Sequence, residues 1–276
     1  MEFKNGFYTA LGTPLDADGN LVEASLRKHI NQQIEAGASG LLLMGSMGIE
    51  AYIKNSAYAE IVRVGADEVA GRLPLFVGVM DNSIVKVKEK IDMIKDAEID
   101  GVVLCGSAGP RLMLTGAGKL ISGIVMKCSG KRKKSAFLDT LVFGTYNKGI
   151  EEDSTSAWIC RDENIVKIYD DDPFCGFKVT NEFFYDFLGG LCSIHKKKNM
   201  NKIPKDLPIF LIAGDADPVG EYGKSVKKLF STYKKLGIKD VSLKIYPEAR
   251  HELFNEPNKE DVMKDFLVWV LSYLEN

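Results

Sequence analysis

Of 276 residues, only five are cysteine, three histidine and two tryptophan. The cysteines, Cys105, Cys128, Cys160, Cys175 and Cys192, are odd in number and irregularly spaced, and no Cys-x-x-Cys pair occurs. The pattern therefore supplies neither a disulfide framework nor a cysteine zinc site, and a cytoplasmic setting is expected. Long apolar runs are missing too. None has the length of a bilayer span, and the start, Met1-Glu2-Phe3-Lys4-Asn5, lacks the apolar stretch of a secretory leader. Charge of one sign is equally scarce. Thirty-six Lys and Arg against 38 Asp and Glu leave −2, so no broad field favours nucleic acid or an anionic membrane. The basic run Lys131-Arg132-Lys133-Lys134 is offset by Glu151-Glu152-Asp153 and Asp170-Asp171-Asp172 and reads as a solvated face. The expected partner is a small-molecule substrate, with no nucleic acid and no transmembrane segment. No cofactor or metal is implied.

What is present begins as a regular alternation. Apolar runs start at Gly6 (GFYTALGT), Gly40 (GLLLMG), Leu73 (LPLFVGV) and Gly101 (GVVLCG), 34, 33 and 28 residues apart. Between them lie amphipathic stretches over Val22–Ala36, Ala57–Val69 and Ser83–Ala97. In the first, Leu26, Ile30 and Ile34 share a helical face, and Gly37 follows as a terminator. Strand, helix and strand in this order build a parallel sheet. The rhythm stops between Ser107 and Pro204, then returns with strands at Leu207–Ala213 and Val241–Tyr246 and helices at Tyr222–Leu236 and Lys259–Leu274. The expectation is an α/β fold. It has a mostly parallel sheet of βα units and a helical cap inserted at about 107–204, ahead of core elements at about 205–276. A barrel of eight equal units does not fit this rhythm.

Residues 1–103 resemble the dihydrodipicolinate synthase and N-acetylneuraminate lyase family through "TALGTPLDADG", "EAGASGLLLMGSMGIEA", "AGRLPLFVGVMDNS" and "DGVVL". The match covers half of that family's barrel. The family's carboxylate-binding loop, Gly-Thr-Thr-Gly-Glu, stands here as Gly45-Ser46-Met47-Gly48-Ile49-Glu50, which keeps one hydroxyl, on Ser46, and loses the second at Met47. The family also needs a Schiff-base lysine and a tyrosine relay. The segments nearest to these, "TYNKG" at Thr145–Gly149 and "GIKDVS" at Gly237–Ser242, are too far apart, and Lys239 falls in a polar turn before a strand.

Residues 104–276, with the shared strand that precedes them, resemble the monoacylglycerol lipase and lysophospholipase branch of the α/β-hydrolases. The matching stretches are "IDGVVLCGSAGPR", "LDTLVFGTYNKGI", "DDPFCGFKVTNEFF", "PIFLIAGDADPVGEYGKSV" and "LKIYPEARHELFNE". The resemblance implies a catalytic acid at Asp217, in "GDADPVG", and a base at His251, in "EARHE", each just past a strand. The family order, serine then Asp then His, is respected. An Asp before Pro is commonly a turn residue, but the two positions together favour a hydrolase acid and base. His29 and His195 read as surface residues.

The family's nucleophile elbow, Gly-x-Ser-x-Gly, would precede the matched region and is not found. Met44-Gly45-Ser46-Met47-Gly48 and Cys105-Gly106-Ser107-Ala108-Gly109 approach it, but both lack the first glycine, which relieves crowding in a strained turn. Ser46 is the better candidate, either as a makeshift nucleophile or as a carboxylate-binding hydroxyl, because a helix pattern follows it. The two resemblances meet at Asp100–Leu104, which fits both families. The chain reads as a composite, whether by recombination, gene-model fusion or design. Three functions follow: an ester hydrolase of monoacylglycerols or lysophospholipids using Asp217, His251 and Ser46; a pyruvate-type Schiff-base lyase; or a non-catalytic fusion.

Overall fold

The computed structural model describes residues 8–45, 53–79, 89–90, 93, 101–173 and 175–274. The chain divides into two compact units, one of Met1–Ile99 with Leu274–Asn276 and one of Asp100–Tyr273.

In the first unit, β1 (Tyr8–Ala10), β2 (Gly40–Leu43) and β3 (Leu75–Val77) form a parallel sheet in that order, with Thr9 opposite Leu41 and Leu42 opposite Phe76. Two helices provide the crossovers, α1 (Glu23–Glu35) and α2 (Asn55–Val69). Leu26 and Ile30 of α1 are fully buried together with Leu41, Tyr58 and Ile61. The apolar spacing read from the sequence is therefore the core face. Gly37 ends α1 at φ +85°, a conformation open to glycine without strain. The Ser83–Ala97 stretch lies almost wholly outside the described residues.

The second unit carries another three-stranded parallel sheet, with β4 (Val102–Cys105) and β6 (Val241–Tyr246) flanking β5 (Ile209–Gly214). Every residue of β5 is buried, as expected for a central parallel strand covered on both faces. The strand at Gly101 continues the spacing of the first three but hydrogen-bonds to β5, not β3. Its register, with Val102 opposite Ile209, is set by the apolar run "PIFLIA".

Between β4 and β5 stand, among the described residues, five α-helices, α3 (Leu112–Ser129), α4 (Ala136–Phe143), α5 (Glu163–Asp171), α6 (Asn181–Ile194) and α7 (Lys197–Met200), and a 3-10 turn at Ala157–Ile159. Ser135, Asp162 and Thr180 cap α4, α5 and α6 by accepting the backbone N–H of Leu138, Asn164 and Phe183. The interruption in the alternation is thus a helical cap. Two more helices, α8 (Lys224–Lys235) and α9 (Lys259–Leu274), follow β5 and β6. His195 departs from its reading as a surface residue. It is buried at the end of α6, its Nδ1 lies 3.0 Å from the Leu191 carbonyl, and burial lowers its pKa.

Candidate active site

The ends of β5 and β6 bring together two of the three residues singled out in the sequence. Asp217 lies just past β5 and is fully buried; His251 follows β6 in the next loop and is partly open. The Asp217 Oδ2 to His251 Nδ1 distance is 3.2 Å. Asp217 is held by its own turn. Its Oδ1 accepts the Val219 N–H at 2.8 Å and its carbonyl accepts the Tyr222 N–H at 2.8 Å. A carboxylate can only accept, so Nδ1 carries the imidazole proton and Nε2 is left as the basic nitrogen. No described side chain hydrogen-bonds Nε2. Ser46, the third residue, lies outside the described residues.

Short side chains permit this approach. Gly106, past β4, adopts φ +57°, and a Cβ there would sit 2.9 Å from the His251 carbonyl oxygen and 3.1 Å from its ring. Gly109 lies against the Ser225 backbone and donates its N–H to Ser225 Oγ at 3.1 Å. The stretch Cys105–Gly109, read as an imperfect elbow, is thus a close-packing loop, and no hydrogen bond joins Ser107 to the imidazole. Cys105 is exposed by area, yet the protein around its sulfur, then the Asp217 carboxylate, hold the thiol well above its usual range. It stays protonated and is a poor nucleophile. In the first unit, Met44, just past β2, has φ +51° and is fully buried. The backbone strain there falls two residues before the candidate serine.

Aromatic rings line the imidazole. Trp158 lies 5.2 Å from the His251 ring, Tyr146 meets Trp158 edge-on at 5.0 Å, and Phe143 meets Tyr146 at 5.5 Å. Burial raises the Tyr146 phenol pKa, so the hydroxyl stays neutral. Trp158 drew no notice in the sequence; its place between two loops arises only when the cap folds.

A network that the sequence did not disclose ties this cap segment to the histidine loop. Buried Glu256 accepts the Arg250 N–H at 3.0 Å, the Arg161 N–H at 3.1 Å and Arg161 Nε at 2.5 Å. Arg250 grips both oxygens of Glu152 at 2.7 Å and donates to the carbonyls of Ala157 and Cys160. Its guanidinium depresses the Glu152 pKa. Glu252 N–H reaches the Ile159 carbonyl at 2.8 Å, and Cys160 Sγ donates to the Asn255 carbonyl at 3.0 Å. The only legible signal was the crowding of charge in "EARHELFNE" and "CRDEN". An open pocket of about 600 Å³ lies beside the Asp217 turn, lined in part by Tyr146, Lys148, Asp215, Tyr222 and Glu248; neither Asp217 nor His251 lines it.

No group of His, Cys, Asp and Glu among the described residues could hold a metal ion. Lys239, considered for a Schiff base, pairs with Asp206 on an exposed turn. The geometry is an acid–base pair without a described nucleophile.

The fold recurs in known structures. The chain superposes on a thermostable carboxyl esterase from Bacillus coagulans at TM-score 0.64 and 19% identity, covering 99% of this chain and 91% of that one. A lipase in its open form gives 0.60 at 18%, covering 100% and 92%. A soluble variant of monoglyceride lipase from Saccharomyces cerevisiae gives 0.51 at 20%, covering 80% and 70%. The protein is an α/β-hydrolase by fold. Residues 92–258, more than half of the chain, match the family described as serine aminopeptidase, S33, and the chain belongs to that family.

It is nevertheless composite. Residues 3–113 match the dihydrodipicolinate synthetase family, overlapping the first match at 92–113. The 4-hydroxy-tetrahydrodipicolinate synthase of Oleidesulfovibrio alaskensis is 35% identical over 104 residues, which are 38% of this chain and 35% of that protein. That of Brucella abortus is 31% identical over 99 residues, 36% and 34% respectively. The chain spans about a third of the length of these curated relatives.

Proposed function

We propose that the chain is an ester hydrolase of the serine-hydrolase type, acting on acylglycerol-like substrates such as monoacylglycerols or lysophospholipids. The 3.2 Å contact between Asp217 and His251 carries the reading. Asp217 fixes the imidazole tautomer and stabilises the imidazolium. Nε2 takes the proton of an attacking hydroxyl and returns it to the leaving alkoxide. The rings of Trp158, Tyr146 and Phe143 support an acyl substrate, since they give an apolar wall beside the base. Ser46, read from the sequence as a makeshift nucleophile or a carboxylate-binding hydroxyl, is the candidate for the attacking group.

The test is fluorophosphonate labelling of the intact chain, with hydrolysis of a monoacylglycerol as readout. Labelling lost in Ser46→Ala and in His251→Ala, and turnover lowered on the order of a thousandfold or more in Asp217→Asn, is the expected result. Absence of labelling and turnover in a cooperatively folded protein would overturn the proposal. Labelling that survives Ser46→Ala would reassign the nucleophile.

A further inference from the structure

Helix α8 carries its charge on one side and in one sign. Ser225, Val226 and Leu229 are buried. Lys224, Lys227, Lys228, Ser231, Lys234 and Lys235 are exposed and follow the three- and four-residue spacing of one helical face. No acidic residue lies on the helix. Lys234 rests over the Phe230 ring at 4.6 Å; among the described residues, none of the five lysines forms an ion pair. The arrangement works against the helix itself. Lys224 and Lys227 stand in its first turn, at the positive end of the dipole, where a carboxylate is the favourable group. Lys224 also faces Lys227 and Lys228 at the spacing where like charges repel.

The surroundings extend the same sign. Ile203 packs with Leu229, Phe230 and Tyr233 in one apolar cluster, and the Lys239 N–H donates to the Lys205 carbonyl at 2.9 Å. Lys202, Lys205 and Lys239 therefore border the helix, with Asp206 as a partner for Lys239. From His195 to Lys239 eleven lysines stand against four carboxylates, one of them the buried Asp217, in a chain of net charge −2. The near-zero total that spoke against nucleic acid in the sequence conceals this separation.

We infer that the lysine face of α8 binds nucleic acid through its backbone phosphates, without reading base sequence. Other anionic partners need more than charge. A lipid surface takes up apolar side chains beside the basic ones, and a stable protein interface closes on an aromatic or apolar centre. Among the described residues, no large apolar side chain of α8 is exposed. Lysines are point charges on flexible stems, which suits phosphate oxygens. From Lys224 to Lys235 the helix runs about 16 Å, and one strand of a duplex sets about five phosphates along that length. Five lysines stand there. The binding needs no turnover, so it stands apart from the hydrolase proposal.

The test is fluorescence anisotropy of a labelled DNA duplex of mixed sequence, about 20 base pairs long, titrated with the intact chain. Binding should weaken about five hundredfold between about 50 and about 200 mM salt, the fall that five phosphate contacts give. A second duplex of unrelated sequence should bind within about twofold of the first. The triple change Lys224→Gln, Lys227→Gln and Lys228→Gln should lower the slope of log affinity against log salt by about 3. The control, Arg132→Gln with Lys133→Gln and Lys134→Gln, removes the same charge from an exposed loop and should leave the slope unchanged. All six sites are exposed, so both variants should keep the wild-type circular dichroism. No binding of either duplex at about 50 mM salt, or an equal slope in the two triple variants, would overturn the inference. So would binding of polyglutamate or of anionic vesicles without any duplex binding, since the face would then belong to an acidic protein or a membrane.

Discussion

Replacing Glu256 by Gln keeps the shape of the side chain and removes its charge. Three donors converge on the carboxylate: the backbone N–H groups of Arg161 and Arg250 on one oxygen, and Arg161 Nε on the other. An amide has one acceptor oxygen. If it serves the two backbone groups, its NH₂ faces the guanidinium, donor against donor, at a fully buried position. Arg161 is a quarter exposed and keeps Glu248 as a partner at 3.2 Å, so the loss is that of charge-assisted hydrogen bonds, about 1.5–3 kcal/mol, and not that of an uncompensated buried charge. For a unit of this size, 1 kcal/mol moves Tm by about 2–4 °C, so a fall of about 3–12 °C is expected. Both tryptophans, Trp158 and Trp269, lie in the second unit, so their fluorescence on heating follows that unit. Hydrogen exchange should show the Arg161 and Arg250 amides opening more readily, since each loses its charged acceptor. A Tm within about 2 °C of wild type, with unchanged exchange at both amides, would refute the reasoning.

Gly106→Ala places a methyl 3.1 Å from the imidazole and forces φ +57° on a residue with a side chain. A loss of about 1–3 kcal/mol by urea denaturation is expected, with a shifted imidazole signal in NMR. Arg250 holds the Glu152 pKa below the ordinary carboxylate value. That stability is present above the unfolded value and is lost as pH falls through the depressed one, so Glu152→Gln should flatten the acid limb of the urea midpoint plotted against pH. Burial lowers the His195 pKa below 6.5. The unfolded chain therefore takes up the proton first, stability falls as pH drops through 6.5 towards the folded value, and His195→Gln should remove that slope from the same plot.

Periodicity made the βα elements readable. The strand at Val241–Tyr246 and the helix at Lys259–Leu274 lie where the sequence places them, and Gly37 ends its helix for the reason its residue type suggests. The grouping of strands was less readable. "GVVLCG" continues the front spacing, and spacing alone does not say that β4 pairs with β5. Asp217 and His251 could be found because each sits one short turn past an apolar strand. Their support could not, since Arg161 and Glu256 are 95 residues apart and meet only through the folded cap. His195 misled because three lysines follow it, while the preceding helix carries its ring inward.

The polar clasp between residues 152–161 and 248–258 has a further consequence. The same carboxylate that restrains the roof also restrains the loop bearing the base. Swinging the roof away on that side would unseat the imidazole along with it. Access to the His251 ring therefore belongs on another rim of the cap, and mutations that loosen this clasp should displace the ring before they widen access.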